Sequence, residues 1–206
     1  LRCRILKSYE KTDAFVIICC VGEFMITRRS LLRACAGSAA AAALPASAFA
    51  NVMDEMNIHH RIALESIHTG EKGVFDIVVN GEAVPEELAR ADTLLRDHRS
   101  GDVYNMDFNA LKILAQLAEL HDSSKPFQII SGYRSPGTNA MLAANSNGVA
   151  KKSYHMLGMA IDIALPGVEL KDLQASAKSL KAGGVGIYSG SGFLHVDTGP
   201  VRYWGV

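Results

Sequence analysis

All four cysteines of this 206-residue chain (Cys3, Cys19, Cys20 and Cys35) precede Ala50, and all seven histidines follow it. A folded region beyond Ala50 therefore has no disulfide to staple it. Its stability has to come from an apolar core or from a bound metal. Hydrophobic residues make up 49% of the chain and charged residues 20%, a globular balance in a length that suits one domain. Formal net charge is zero, which gives no electrostatic reason to expect nucleic acid as a partner.

The first fifty residues read as something other than fold. Thr27-Arg-Arg-Ser-Leu-Leu-Arg33 is followed by a run of small apolar residues over 34–44, then Pro45 and Ala48-Phe49-Ala50. A charged region, an apolar region and an A-x-A site are the parts of an export signal. The arginine pair ahead of a weakly hydrophobic run resembles a twin-arginine signal. A Sec signal and a retained amphipathic helix are the other readings. Met25 is a plausible start, which makes 1–24 an upstream segment outside the true chain, 25–50 the signal and 51–206 the domain. The apolar stretch 14–22 is too short to span a bilayer. The expectation is a periplasmic monomer without a membrane anchor, carrying 14 Lys+Arg against 18 Asp+Glu.

Periodicity beyond residue 51 sketches the elements. Residues 74–79 alternate like a strand and run into Asn80-Gly81, a hairpin turn signal. Pro85 opens a helix with Leu88, Ala91, Leu94 and Leu95 on one face. Asp107 caps a second helix reaching about His121, with Leu111, Leu114, Ala115 and Leu117 inward. Residues 127–131 read as a short buried strand, and Ser135-Pro136 starts a helix to 145. A strand over 161–165 and a helix over 169–181 follow, the helix ended by Gly183-Gly184. Strands over 185–188 and 193–198 close the chain. Hairpin-length connections between late strands predict an α+β domain with a small antiparallel sheet flanked by helices.

Two short stretches carry chemistry. In Ser153-Tyr-His155-Met-Leu-Gly158-Met-Ala-Ile-Asp162, a histidine and an aspartate lie seven residues apart. That spacing does not place both on one face of an unbroken strand, but a turn at Gly158 would let them converge. Phe193-Leu-His195-Val-Asp197 brings a second histidine and another carboxylate, which share a strand face. Two histidines and a carboxylate match a catalytic zinc site, in which the fourth position is left for water of pKa about 7. A further carboxylate is needed to take the proton, and Asp197 is the candidate. His59, His60, His68, His98 and His121 have no carboxylate at useful spacing and receive no role. The absence of cysteine beyond residue 50 excludes a thiol nucleophile there, and no Gly-x-Ser-x-Gly elbow suggests a serine hydrolase.

Three ordered motifs, Ser131-Gly-Tyr-Arg134-Ser-Pro-x-Thr-Asn139, Ser153-x-His155-x-x-Gly158-x-Ala-x-Asp162, and Gly183-Gly-Val-Gly-x-Tyr188 with His195-x-Asp197-x-Gly, resemble a known family. It is the YcbK/MepK-like branch of the D-alanyl-D-alanine peptidase and lysostaphin-type zinc peptidases, and the likeness runs from about residue 105 to Trp204. The resemblance implies a D-Ala-D-Ala peptidase/hedgehog-like fold, one zinc ion on His155, Asp162 and His195, and endopeptidase action on the peptide stems of peptidoglycan. It also implies that Arg134 steadies an oxyanion or grips a substrate carboxylate, a structural salt bridge being its other reading. On their own residue types, Ser153 is a candidate to contact substrate, orient a ligand or cap a turn, and Tyr188 to line a substrate groove or pack in the core. The wider group places a Glu or Asp three residues before the last histidine, where this chain has Gly192, so Asp197 stands in as base. An arrangement in which Asp197 ligates and His195 moves protons is also open. So are a non-catalytic zinc-containing wall-binding module and a D-alanyl-D-alanine carboxypeptidase.

Overall fold

The computed structural model describes residues 58–146 and 149–205. The predicted signal over 25–50 and the segment 1–24 lie outside the described residues. Among the described residues no helix is long and apolar enough to cross a membrane.

The chain opens with β1 (His60–Ser66), whose Ile62, Leu64 and Ser66 point inward at period two. It pairs antiparallel with β2 (Lys72–Val79). Asn80 and Gly81 both take positive φ, 53° and 79°, the two-residue turn whose twist suits a hairpin, and lead into β3 (Glu82–Ala83). Helix α1 (Pro85–Leu94) begins with its proline in the first turn and has Glu86 and Glu87 at its positive end. Helix α2 (Phe108–Leu120) is capped by Asp107, which accepts from Asn109 N at 2.9 Å, and buries Leu111, Leu114 and Leu117 completely. Strand β4 (Phe127–Ser131) leads to α3 (Pro136–Asn145), capped by Ser135. A single 3-10 turn (Tyr154–Leu157) precedes β5 (Ala160–Ala164), and α4 (Leu170–Leu180) precedes β6 (Gly184–Tyr188), β7 (Phe193–Asp197) and β8 (Arg202–Trp204).

The strands form one sheet in the order β3-β2-β1-β4-β5-β7-β6-β8. The α+β class expected from sequence holds, with a sheet larger than expected and mixed. β1 runs parallel to β4, and β6 runs parallel to β8. β1 escapes a periodicity reading because His-Arg-Ile-Ala-Leu-Glu-Ser mixes strand and helix formers. β8, three residues long, is too short to show a period. Helix α4 also ends differently from expectation: Lys181, with φ 51°, makes the left-handed exit, so Gly183 and Gly184 are free for another purpose.

The sheet sorts its residues by face. Ile161, Ile163, Leu194 and Val196 alternate toward the helical core, packed with α2 and α4. Each buried aliphatic side chain there contributes about 1.5–3 kcal/mol. The intervening residues Asp162, His195 and Asp197 turn to the opposite face, where the polar centre is built.

One buried carboxylate braces this frame from outside that centre. Asp97, after α1, accepts from Ser135 N at 2.9 Å and Arg99 N at 3.0 Å. Burial alone would raise its pKa, but donors from Thr138, the two amides and the Ser135 hydroxyl outweigh burial and hold the carboxyl below the usual range. A depressed folded-state pKa stabilises above the unfolded value of about 3.9, and the benefit disappears as pH falls through the folded value. Asp97→Asn should therefore lower stability by about 2 kcal/mol at neutral pH, because its amide NH₂ faces donors. In urea titrations that gap should narrow progressively below about pH 4.

Candidate metal centre and active site

Three segments bring the key side chains together. Asp162 on β5 and His195 on β7 are direct cross-strand partners, so their side chains stand adjacent on one face. His155 arrives from the 3-10 turn. Ser153 caps that turn by accepting from His155 N at 3.3 Å, and Gly158 ends it in the left-handed region, φ 67°. The turn absorbs the seven-residue spacing and aims His155 at Asp162. The loop after β4 then clasps His155 twice. Arg134 N donates to the His155 carbonyl at 3.2 Å, and His155 Nδ1 donates to the Gly132 carbonyl at 2.7 Å.

These hydrogen bonds decide where the lone pairs point. A carbonyl only accepts, so His155 Nδ1 carries the proton and Nε2 presents its lone pair. His195 Nε2 faces the Asp197 carboxylate at 3.0 Å and carries a proton for the same reason, leaving Nδ1 as the acceptor. His155 Nε2 and His195 Nδ1 are 3.2 Å apart, and they lie 3.3 and 2.8 Å from Asp162 Oδ1. Three acceptors so close require a proton or a cation among them. Tetrahedral zinc ligands at about 2.1 Å from the ion would themselves be about 3.4 Å apart, so the donor set fits such an ion. Among the described residues this is the one group of three or more His, Cys, Asp or Glu side chains gathered in this way. Burial pushes the His195 ring down, while hydrogen bonds and charge from Asp162 and Asp197 outweigh it and raise its pKa to about 8 in the metal-free chain. His59, His60, His68, His98 and His121 contribute no atom to the group. His59 pairs with Asp76, His60 with Glu119, and His68 stacks on His98.

Around this centre lies a cleft of about 530 Å³ whose lining includes Arg134, Ser153, Tyr188, Arg202 and Trp204. Arg134 Nη2 sits 3.6 Å from Asp162 Oδ2 and donates to Ser131 Oγ at 3.2 Å. Tyr188 Oη accepts from Trp204 Nε1 at 3.1 Å, which leaves the phenol hydrogen for another partner. The Ser153 hydroxyl lines the cleft, but its acceptor capacity serves the turn of His155.

Asp197 is placed unlike a proton acceptor. It is fully buried, and it does not line the cleft. Its Oδ1 accepts from Gly184 N, Gly199 N and Arg202 Nη1, and its Oδ2 from Arg202 Nη2 and His195 Nε2. With its oxygens filled by five donors, it is built to hold His195 rather than to reach water. Ligation by Asp197 fits no better, because the side of His195 it meets points away from Asp162. Gly192, where wider relatives would carry an acid, has φ 72° in the β6–β7 turn, closed by Gly192 N to Tyr188 O at 2.8 Å. A residue with a Cβ would be strained there. Arg202 was missed in the sequence because its link to Asp197 depends on a strand pairing that leaves no local period.

The family model described as peptidoglycan L,D-endopeptidase MepK matches residues 56–204. The chain belongs to the MepK family. Its similarity to peptidoglycan L,D-endopeptidase MepK of Escherichia coli K12 is 40% identity over 182 residues, covering 88% of this chain and 99% of that protein. Against the probable peptidoglycan L,D-endopeptidase MepK of Haemophilus influenzae it is 42% identical over 144 residues, covering 69% of this chain and 77% of the relative. The MepK match contains the whole of the centre, from Arg134 through His155, Asp162, His195 and Asp197 to Trp204.

Proposed function

We propose that this chain is a zinc-dependent peptidoglycan endopeptidase of the periplasm, hydrolysing crosslinks between peptide stems. The observation that carries the reading is the convergence of three lone pairs, from His155, Asp162 and His195, in a member of the MepK family. Zinc held by those three residues would supply a Lewis acid that polarises an amide carbonyl and lowers the pKa of water to about 7. His155 and His195 are kept in the ligating tautomer by Gly132 O and Asp197. Arg134 stands beside Oδ2 of the ligand Asp162, where its guanidinium can steady a developing oxyanion or a substrate carboxylate. Tyr188, which also lines the cleft, accepts from Trp204 Nε1 and keeps its phenol hydrogen to offer. Asp197 is assigned to orienting His195 in place of the proton-accepting role read from the sequence, because its oxygens already accept from five donors. Export by the arginine-paired leader is part of the same reading.

One observation favours a second reading, a zinc-containing wall-binding module. Among the described residues lining the cleft, Asp162 is the sole carboxylate, and it is spoken for as a ligand. Incubation with defined dimeric muropeptides, followed by mass analysis of the products, separates the possibilities. Endopeptidase action yields monomers with a new amine at the diaminopimelate crosslink. Free D-alanine with intact dimers would identify a carboxypeptidase, and retention on sacculi without new amines would identify the binding module.

A further inference from the structure

Gly184 and Gly186 are not needed to end α4, yet a side chain at either would displace its neighbours. In the parallel pair β6/β8, Gly184 lies opposite Arg202 and Gly186 opposite Trp204. A Cβ at Gly184 would come within 2.5 Å of both Arg202 Nη1 and Asp197 Oδ2, and one at Gly186 would run into the Trp204 indole. The two glycines clear a seat for the guanidinium and the indole behind the metal centre.

What fills that seat is a fork aimed at Asp197. Arg202 Nη1 lies 3.0 Å from Asp197 Oδ1, and Nη2 lies 2.7 Å from Oδ2. The guanidinium carbon sits 5.1 Å from the centroid of Tyr154 and 5.0 Å from that of Trp204, within cation–π reach of both rings. Nη1 also donates to Pro200 O at 3.1 Å. With both terminal nitrogens committed to Asp197, Arg202 is poorly placed to bind substrate although it borders the cleft. Trp204 in turn packs against the His195 ring, with centroids 5.2 Å apart.

We infer that Arg202 is a positioning residue for the metal centre: seated against Tyr154 and Trp204, its guanidinium fixes the plane of the Asp197 carboxylate, which fixes the His195 ring with Nδ1 toward Asp162. The inference rests on the reading of His195 as a metal ligand. A planar bidentate fork is what arginine supplies and lysine does not, so charge alone is insufficient.

The test measures zinc affinity by competition with a chromogenic chelator, together with kcat and KM on a crosslinked muropeptide dimer. Wild type, Arg202→Gln, Arg202→Lys and Gly184→Ala are compared, with His155→Ala as the control that loses a ligand. Arg202→Gln is expected to lower zinc affinity and kcat by up to roughly 10-fold, the low end of the range for direct partners of metal ligands because it acts through Asp197, with KM within about twofold. Arg202→Lys should fall between, and Gly184→Ala should reproduce the Gln defect with Arg202 still present. Zinc affinity and kcat at the wild-type level in Arg202→Gln would overturn the inference. So would a rise in KM alone, which would make Arg202 a substrate contact. Should the Gln protein not fold, Arg202→Lys decides by the same criteria. If His155→Ala binds zinc like wild type, the ligand assignment itself fails, an outcome distinct from a failure confined to Arg202.

Discussion

His155→Ala is expected to lower zinc affinity by more than about 100-fold and to abolish hydrolysis of crosslinked muropeptides. Loss of even an outer partner costs roughly 10–100-fold, and His155 supplies one of the three converging donors itself. Two donors, Asp162 and His195, would remain on adjacent strands without the third that the turn provides. The substitution also strands the Gly132 carbonyl, a buried acceptor now satisfied at 2.7 Å, for an expected stability loss of about 1–3 kcal/mol. Urea unfolding of the metal-free proteins separates that structural effect from loss of the ion. Elemental analysis of the purified variant and mass analysis of digested sacculi complete the measurement. Digestion of sacculi by folded His155→Ala at the wild-type rate would exclude a metal mechanism through this centre.

Asp197→Asn carries the second large effect, and it discriminates between two roles for one carboxylate. An asparagine keeps the shape but turns one acceptor oxygen into a donor. Either orientation then points N–H at N–H, toward Arg202 and His195 on one side or the Gly184 and Gly199 amides on the other. Removing one partner of a buried ion pair costs about 3–5 kcal/mol, and the half-exposed Arg202 places this case near the lower end. If Asp197 positions His195, zinc affinity and kcat should fall together by roughly 10–100-fold. If it were the proton acceptor, kcat would collapse while zinc remained bound as tightly as before. Chelator competition and steady-state kinetics on the same preparation distinguish these outcomes.

Much of the architecture is legible in the residues. The β4 strand is a short apolar run between Pro126 and a Ser-Gly pair, and α3 announces itself with Ser135-Pro136, so both are found at their observed bounds. The turn at Gly158 follows from the need to reconcile the spacing of His155 and Asp162. Pairings between distant strands are less legible, because they leave no local period. The parallel contacts β1/β4 and β6/β8 make the sheet mixed, and the second of them delivers Arg202 to Asp197. Alternation along β7 correctly puts His195 and Asp197 on one side. Only the tertiary structure shows that the oxygens of Asp197 are already filled, by partners at positions 184, 199 and 202. Gly192 is a similar case: its backbone conformation, not its missing carboxylate, is what the turn selects.

The loop that clasps His155 is itself moored elsewhere. Tyr133 N donates to the Leu95 carbonyl at 2.8 Å, and Ser135 N to Asp97 at 2.9 Å, so residues 132–135 hang from the end of α1. The same four residues orient one imidazole and carry Arg134, so the two cannot be adjusted independently. A substitution that tilts α1 would skew the angles among the three donors, with every donor still present. Such a variant would bind a full equivalent of cobalt and show an altered visible spectrum, a lesion of geometry at constant stoichiometry.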